Sequence, residues 1–461
     1  KSGNKKRGRN ITIGAVVGML LSCTVVMGED ISGLDIANDG TEIKFNKDGI
    51  EFIPGNENDP NKDPYLENTW DEESKTYTNN TTISVTNADG IGSGINVNAT
   101  GVNIVNKGTI SGTAGGSSIP GYGINILSSS TVKDITNTGL IIGVGSTFYG
   151  SSHGILNKGT ITGTITNNGL ITGTKAGQIG YGILNSTGSI ERLVNNGLIT
   201  GDGSNAGATV ISNVNSGNIE ELINTGLITT KKGTGIQNSS YSGITTLTNS
   251  GAIHGTFNGI TNASQEDITN LVNSGVISGE TNAINNNETY SSIKNMLNTG
   301  TIYGKTNAMK NTGTINETNN YGLLVSGDSA GGVVNSNLSI VAHDDSTGGN
   351  NKIKNYGLAF TDDGSGGYKN YDTVNTKGNF GNIYGDVTIG EIKYTIRNAQ
   401  ATIANDSSGA AITNIKSFKI KDGELYEGIN YDSADASTSG SVISDASTSN
   451  VILNGIENTL K

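Results

Sequence analysis

Asn224-Thr225-Gly226-Leu227-Ile228, Asn249-Ser250-Gly251-Ala252-Ile253, Asn273-Ser274-Gly275-Val276-Ile277 and Asn298-Thr299-Gly300-Thr301-Ile302 write one line four times at almost equal spacing. The same Asn-x-Gly-x-Ile pattern starts earlier at Asn106, Asn137, Asn167 and Asn195, giving successive intervals of 31, 30, 28, 29, 25, 24 and 25 residues. A period in this range is the mark of a solenoid, because one copy is too short to bury an apolar face alone and gains a core only by stacking on its neighbours. Further copies at Asn157, Asn215 and Asn311 fall part-way round a coil.

From Gly235 onward a second column keeps step with the first: Gly235-Ile236-Gln237-Asn238, Gly259-Ile260-Thr261-Asn262, Ala283-Ile284-Asn285-Asn286 and Ala308-Met309-Lys310-Asn311. Between the columns lies a third short apolar element, such as Ile244-Thr245-Thr246-Leu247 or Ile268-Thr269-Asn270-Leu271. Short runs of β-formers separated by turn residues are strand signatures. The expectation is an all-β, right-handed parallel β-helix with three strands per coil and an N-terminal cap. Stacked copies bring like residues within about 4.8 Å, so inward Asn side chains are expected to form amide ladders and Ile a continuous stripe. The motif Gly is expected to turn the corner with positive φ. At roughly 25 residues per coil, residues 81–425 would make about 14 coils and a rod of roughly 65 Å.

The surplus length of the early coils falls in segments such as Gly112–Gly121 and Phe148–Ser152, read as polar corner loops. Loops on such a scaffold are where binding variation is usually placed. The division expected is residues 1–28 as a signal peptide, 29–80 as a cap, 81–325 as regular repeats, 326–430 as degenerate coils and 431–461 as a Ser/Thr-rich tail or linker. The cap stretch holds Trp70, the sole tryptophan, and three of the four prolines. It would cover a parallel edge that otherwise templates aggregation.

The chain has 461 residues, 68 Gly and 15% charged residues, with a net charge of −12. Lys5-Lys6-Arg7-Gly8-Arg9 precedes an apolar run from Ile11 to about Met27, then Gly28 meets Glu29-Asp30. Basic, apolar, small is the order of a secretory signal. Without its five cations, 24 positive groups face 41 negative ones, a net of −17. No basic patch remains to hold phosphates, so nucleic acid is not an expected partner. Cys23, the single cysteine, rules out an internal disulfide. Leu20-Leu21-Ser22-Cys23 leaves lipidation at Cys23 as an alternative to cleavage after Gly28.

The signal, the segment Asn68-Thr69-Trp70-Asp71 and the Asn-Thr-Gly-x-Ile coils together resemble the passenger of a Gram-negative autotransporter, the type V secretion route. The resemblance covers most of residues 1–430. It implies an exported, non-catalytic β-helix at the cell surface or outer membrane, or released extracellularly. It implies as partners an outer-membrane translocator barrel and a protein or glycan of a host or neighbouring cell, with adhesion or surface interaction as the role. Such a barrel needs at least eight strands of about 9–11 residues, and Asn458-Thr459-Leu460-Lys461 lacks the aromatic end usual in the family. The barrel is expected on a separate chain or on sequence outside these residues, unless export takes another path.

Parallel β-helices also host polysaccharide lyases and hydrolases, so a carbohydrate-active enzyme is the competing reading, with a lipid-anchored surface protein as the third. An enzyme would need grouped carboxylates with Arg or His. After the signal the only arginines are Arg192 and Arg397. His254 is aligned in one column with Ser111, Ile142, Thr162, Thr172, Thr200, Thr229, Ser278 and Tyr303, and His153 with Tyr122, Tyr181, Thr234 and Asn258, so both are read as outward, freely varying positions. Neither His343-Asp344-Asp345, Asp362-Asp363-Gly364 nor Asn56–Asp63 has calcium-loop spacing. No catalytic, cofactor-binding or metal residue is expected, and no cofactor. The candidate surface contacts are Tyr122, Tyr149, Tyr181, Tyr241, Tyr290 and Tyr303, whose rings could stack on sugars or a partner protein.

Overall fold

The computed structural model describes residues 42–46, 49–53 and 69–362, except 72, 89, 116–117, 147–149, 175–178, 202, 204–207, 231, 321, 327–331, 343–348 and 356–357, together with five strands between residues 368 and 431. The fold is an all-β solenoid whose strands stack in parallel on three faces. In one turn the first face is Thr131–Asn137, the second Leu140–Val144 and the third Ser152–Asn157. The next turn lays Thr160–Asn167, Leu170–Thr174 and Gly180–Ser186 directly on them, with Ile135 opposite Ile165, Ile141 opposite Ile171 and Ile155 opposite Ile183.

Nearly every turn sends isoleucine, leucine or valine inward from each face, Met309 standing in on the strand Asn307–Asn311. On the second face the stripe runs Ile83, Ile110, Ile141, Ile171, Ile199, Ile228, Ile253, Ile277 and Ile302, all fully buried. Branched side chains suit a pleated surface, and stacking them at about 4.8 Å fills the interior without voids.

Asparagine holds the corners. Asn79, Asn106, Asn137, Asn167, Asn195, Asn224, Asn249, Asn273, Asn298, Asn320 and Asn355 form one ladder, each Nδ2 donating to Oδ1 of the next at 2.6–2.8 Å. Asn249 illustrates the full satisfaction. Its Nδ2 reaches Asn273 Oδ1 at 2.8 Å, and also lies 3.3 Å from Gly251 O and 3.1 Å from Val276 O. One hydrogen serves the ladder and the other is shared by two carbonyls, so a fully buried amide carries no desolvation penalty. A second ladder stands where the third face turns into the first: Asn157, Asn185, Asn213, Asn238, Asn262, Asn286, Asn311 and Asn337. The expected part-way copies at Asn157 and Asn311 belong to it. Asn215 does not: Asn213 takes the rung, and Asn215 sits beyond it in the corner with φ 57°.

The glycine of the motif has a different role from the one expected. None of Gly139, Gly169, Gly197, Gly226, Gly251, Gly275 or Gly300 has positive φ. Each instead lies under the corner of the preceding turn: a Cβ on Gly139 would stand 2.0 Å from Gly108 O, one on Gly275 2.0 Å from Gly251 O, and one on Gly300 2.1 Å from Gly275 O. The same corner makes a double bond to one acceptor, since Ser250 N and Gly251 N both donate to Asn224 O at 2.8 and 3.1 Å. Glycine is needed because backbone touches backbone, not because the chain is left-handed there.

Between the second and third faces the chain doubles back so closely that a Cβ on Gly143 would meet His153 O at 2.0 Å. The connecting segments there are residues 115–120, 145–151, 175–179 and 202–207 in the early turns, then 230–232, 256–257, 280–281 and 305–306, before lengthening again to 327–333 in the last turn. The surplus of the long repeats falls here, including the segments Gly112–Gly121 and Phe148–Ser152 named from the sequence.

Eleven strands stack in parallel on the second face, from Thr82–Asn87 to Leu358–Asp362, against the 14 coils expected, a length of roughly 50 Å at ~4.8 Å per turn. Parallel stacking ends at Leu358–Asp362, and the strands described beyond it pair antiparallel: Leu358–Asp362 with Tyr368–Asn370, Ile383–Ile389 with Ile392–Ala399, and Asn414–Lys419 with Gly428–Tyr431. That stretch lacks the Asn-x-Gly-x-Ile line that fixes the parallel register. At the other end, antiparallel hairpins Glu42–Ile53 and Thr69–Asn79 occupy the stretch read as a cap, and their strands Glu42–Asn46 and Thr76–Asn79 pair in parallel with the first turn. The stretches 1–28 and 432–461 lie outside the described residues.

Candidate functional site

The side chains that repeat face inward, so any contact surface is made by those that differ between turns. Three groups of them stand out.

On the third face His153 lies between Tyr122 and Tyr181, its ring centroid 5.1 Å from each and parallel to Tyr181 within 1°. The stack follows from register alone, because His153 is paired with Tyr122 on one side and Tyr181 on the other. The columns read from the sequence hold except for Thr162, which lies on the first face rather than in the His254 column; the expectation of outward, freely varying positions is also corrected, since His153 is 3% exposed and Tyr122 8%. Burial, and secondarily the charge of Lys158, lowers the His153 pKa to about 3. So weak a base is a poor proton acceptor at neutral pH. Its Nδ1 is buried without a hydrogen-bond partner. Burial also raises the pKa of Tyr122 and Tyr181.

On the second face His254 is likewise buried rather than open, its Nδ1 2.9 Å from Ser278 Oγ in the adjacent turn. Tyr303 follows Ser278 in the same column and is half-buried. These positions are polar and stacked, and the two histidines lie on different faces in different turns.

The third group stands on the corner between the third and first faces in the later turns. Tyr241 is 59% exposed and Tyr290 52%. Around Tyr241 a groove of about 320 Å³ is bordered by Asn218, Glu266, Asp267, Thr269 and Lys294. Lys294 forms an ion pair with Asp267. Sequence reasoning named Tyr241 but missed this polar surround. The only signal was the corner growing from Lys158-Gly159 to Ser264–Asp267, which becomes readable once Asn213 rather than Asn215 anchors the alignment.

No family model, curated protein or solved structure matches this chain.

Tyr149, His343, Asp344, Asp345, Asp363 and the loop Asn56–Asp63 lie outside the described residues. Among the described residues no three His, Cys, Asp or Glu side chains are grouped to hold a metal. Arg192 pairs with Glu221 in the next turn at 2.7 Å on the exposed first face. An ion pair so open to solvent contributes little, and it stands apart from both histidines in sequence and turn.

Proposed function

We propose that this chain is an exported rod of the autotransporter passenger type, carried by a translocator barrel and displayed at the surface of a Gram-negative cell, where it acts by binding rather than catalysis. The observation that supports the reading is the division of labour between inside and outside. Inward positions repeat as Asn and Ile turn after turn, whereas accessible positions of the first face change from Glu191 to Glu220 to Thr245 to Lys294. Such a scaffold keeps its shape while its surface varies, which suits recognition of a partner. The basic and apolar order of residues 5–27 supports export.

Proteolysis of intact expressing cells tests the proposal. A protease added outside should release a resistant fragment spanning residues 76–362. A rod digested only after the cells are opened would overturn display, and depolymerisation of any glycan by the purified chain would overturn the non-catalytic assignment.

A further inference from the structure

The corner carrying Tyr241 is built against the ordinary preference of its residues. Ser240 and Tyr241 have φ of 58° and 62°, and at the preceding corner Asn215 and Ser216 have 57° and 65°. The left-handed region costs a bulky side chain about 1–2 kcal/mol, whereas Asn tolerates it. Ser216 N donates to Ser240 O at 2.9 Å, so one corner is laid on the other. Tyr241 thus occupies a backbone position better suited to Asn or Gly, and its ring stands largely in solvent.

Beside that ring, the groove is deepened by a missing side chain. A Cβ on Gly243 would have one close neighbour, Asn218 Oδ1 at 3.3 Å, in contrast to the backbone at about 2 Å that demands glycine in the Asn-x-Gly corners. Packing does not require glycine at residue 243; open space does. The border of the groove mixes donors and acceptors. Asn218 Nδ2 holds Glu220 Oε1 at 2.8 Å, Lys294 holds Asp267, and the Glu266 carboxylate is exposed without an ion-pair partner among the described residues. At about 320 Å³ the space is at the lower end of ligand clefts, which span roughly 300–1,000 Å³.

We propose that this groove holds one neutral pyranose ring, stacked on Tyr241 and hydrogen-bonded at its rim by Asn218, Glu266 and the Asp267–Lys294 pair. A sugar ring presents C–H bonds on its face and hydroxyls round its edge, the complement of an aromatic plate bordered by amide, carboxylate and ammonium groups. Glu220, Glu266 and Asp267 outnumber Lys294, so acidic sugars are repelled. The inference deepens the proposed binding role by naming the partner class, and its test uses purified protein, so it does not depend on where the rod is displayed.

The full chain is applied to immobilised glycans ending in glucose, galactose, mannose, N-acetylglucosamine or N-acetylgalactosamine, beside sialylated and sulfated counterparts. Binding to at least one neutral group is expected, competed by the free monosaccharide. Tyr241→Ala and the groove-filling Gly243→Thr should each weaken it at least tenfold, while Tyr241→Phe stays within about twofold. Circular dichroism and melting of each variant verify that the solenoid is intact; should Gly243→Thr disturb it, Glu266→Gln replaces it and carries the same expectation. Binding to no neutral glycan, binding restricted to acidic glycans, or retention by Tyr241→Ala would overturn the inference. A rod that reaches the surface but binds no sugar sinks the groove alone; one that binds but stays inside the cell sinks display alone.

Discussion

The turns before Asn224 and those after it enclose the same interior with different amounts of chain. Rungs of the main ladder are 28–31 residues apart from Asn106 to Asn224 and 22–25 apart from there to Asn320. Yet Ile141 and Ile277 are equally buried, and the amide bond is 2.8 Å at Asn137 and at Asn273. The cross-section is therefore set by the inward residues, and repeat length by the connection between the second and third faces. The difference also moves the accessible surface. Early turns, with connections of five to seven residues, bury His153 and Tyr122, whereas the turns between Asn224 and Asn320, with connections of two or three, present Tyr241 and Tyr290 at the opposite corner.

This comparison breaks if equivalent interior changes have unequal effects in the two halves. Gly169→Val and Gly275→Val should each cost more than about 4 kcal/mol, since a side chain would enter space 2.2 Å from Gly139 O or 2.0 Å from Gly251 O. Chemical unfolding would register both as near-complete loss of the native baseline. Asn137→Leu and Asn273→Leu each strand buried carbonyls and two ladder neighbours, and should cost about 3 kcal/mol. Unequal midpoints for that pair would mean that the ladder is not the shared element.

Two smaller effects should separate the halves. His153 has a folded pKa of about 3 against 6.5 when unfolded, so the unfolded chain binds the extra proton. Stability from this group is complete above pH 6.5 and drains as pH falls towards 3, by about 2 kcal/mol between pH 6.5 and 5. His153→Phe keeps a ring between the tyrosines and should remove that slope, which melting at several pH values would detect. Smallest of all, inserting six Gly/Ser residues between Thr256 and Phe257 gives a later turn an early-length connection and should cost only about 1 kcal/mol. The same insertion between Thr225 and Gly226 should be far more damaging, because it separates the Asn224 rung from its glycine.

The fold was legible because its specification is local and repeated: Ile228, Ile253, Ile277 and Ile302 stand at one offset from a ladder Asn and all point inward. What was hidden arises between turns. The approach of Gly275 to Gly251 involves no side chain, so sequence suggests the commoner reason for glycine, a left-handed turn. Asn213 and Asn215 are both asparagines near the same corner, and only pairing with Asn185 and Asn238 shows which is the rung. His153 shares its column with tyrosines and His254 with mostly small and polar residues, so both positions read as open, whereas stacking between turns buries both rings. The groove draws Asn218, Tyr241, Glu266 and Lys294 from four successive turns, a grouping invisible along the chain.

The ladders also have a direction: in both, each amide hydrogen points to the oxygen of the turn that follows. Each finished winding thus offers its successor a row of donors in fixed positions, and a winding threaded one residue out of step meets them with the wrong groups. Pulled from one end, such a rod should come apart like a zip, one loop of about 25 residues at a time. Each release would add roughly 80 Å of slack and leave the remainder whole.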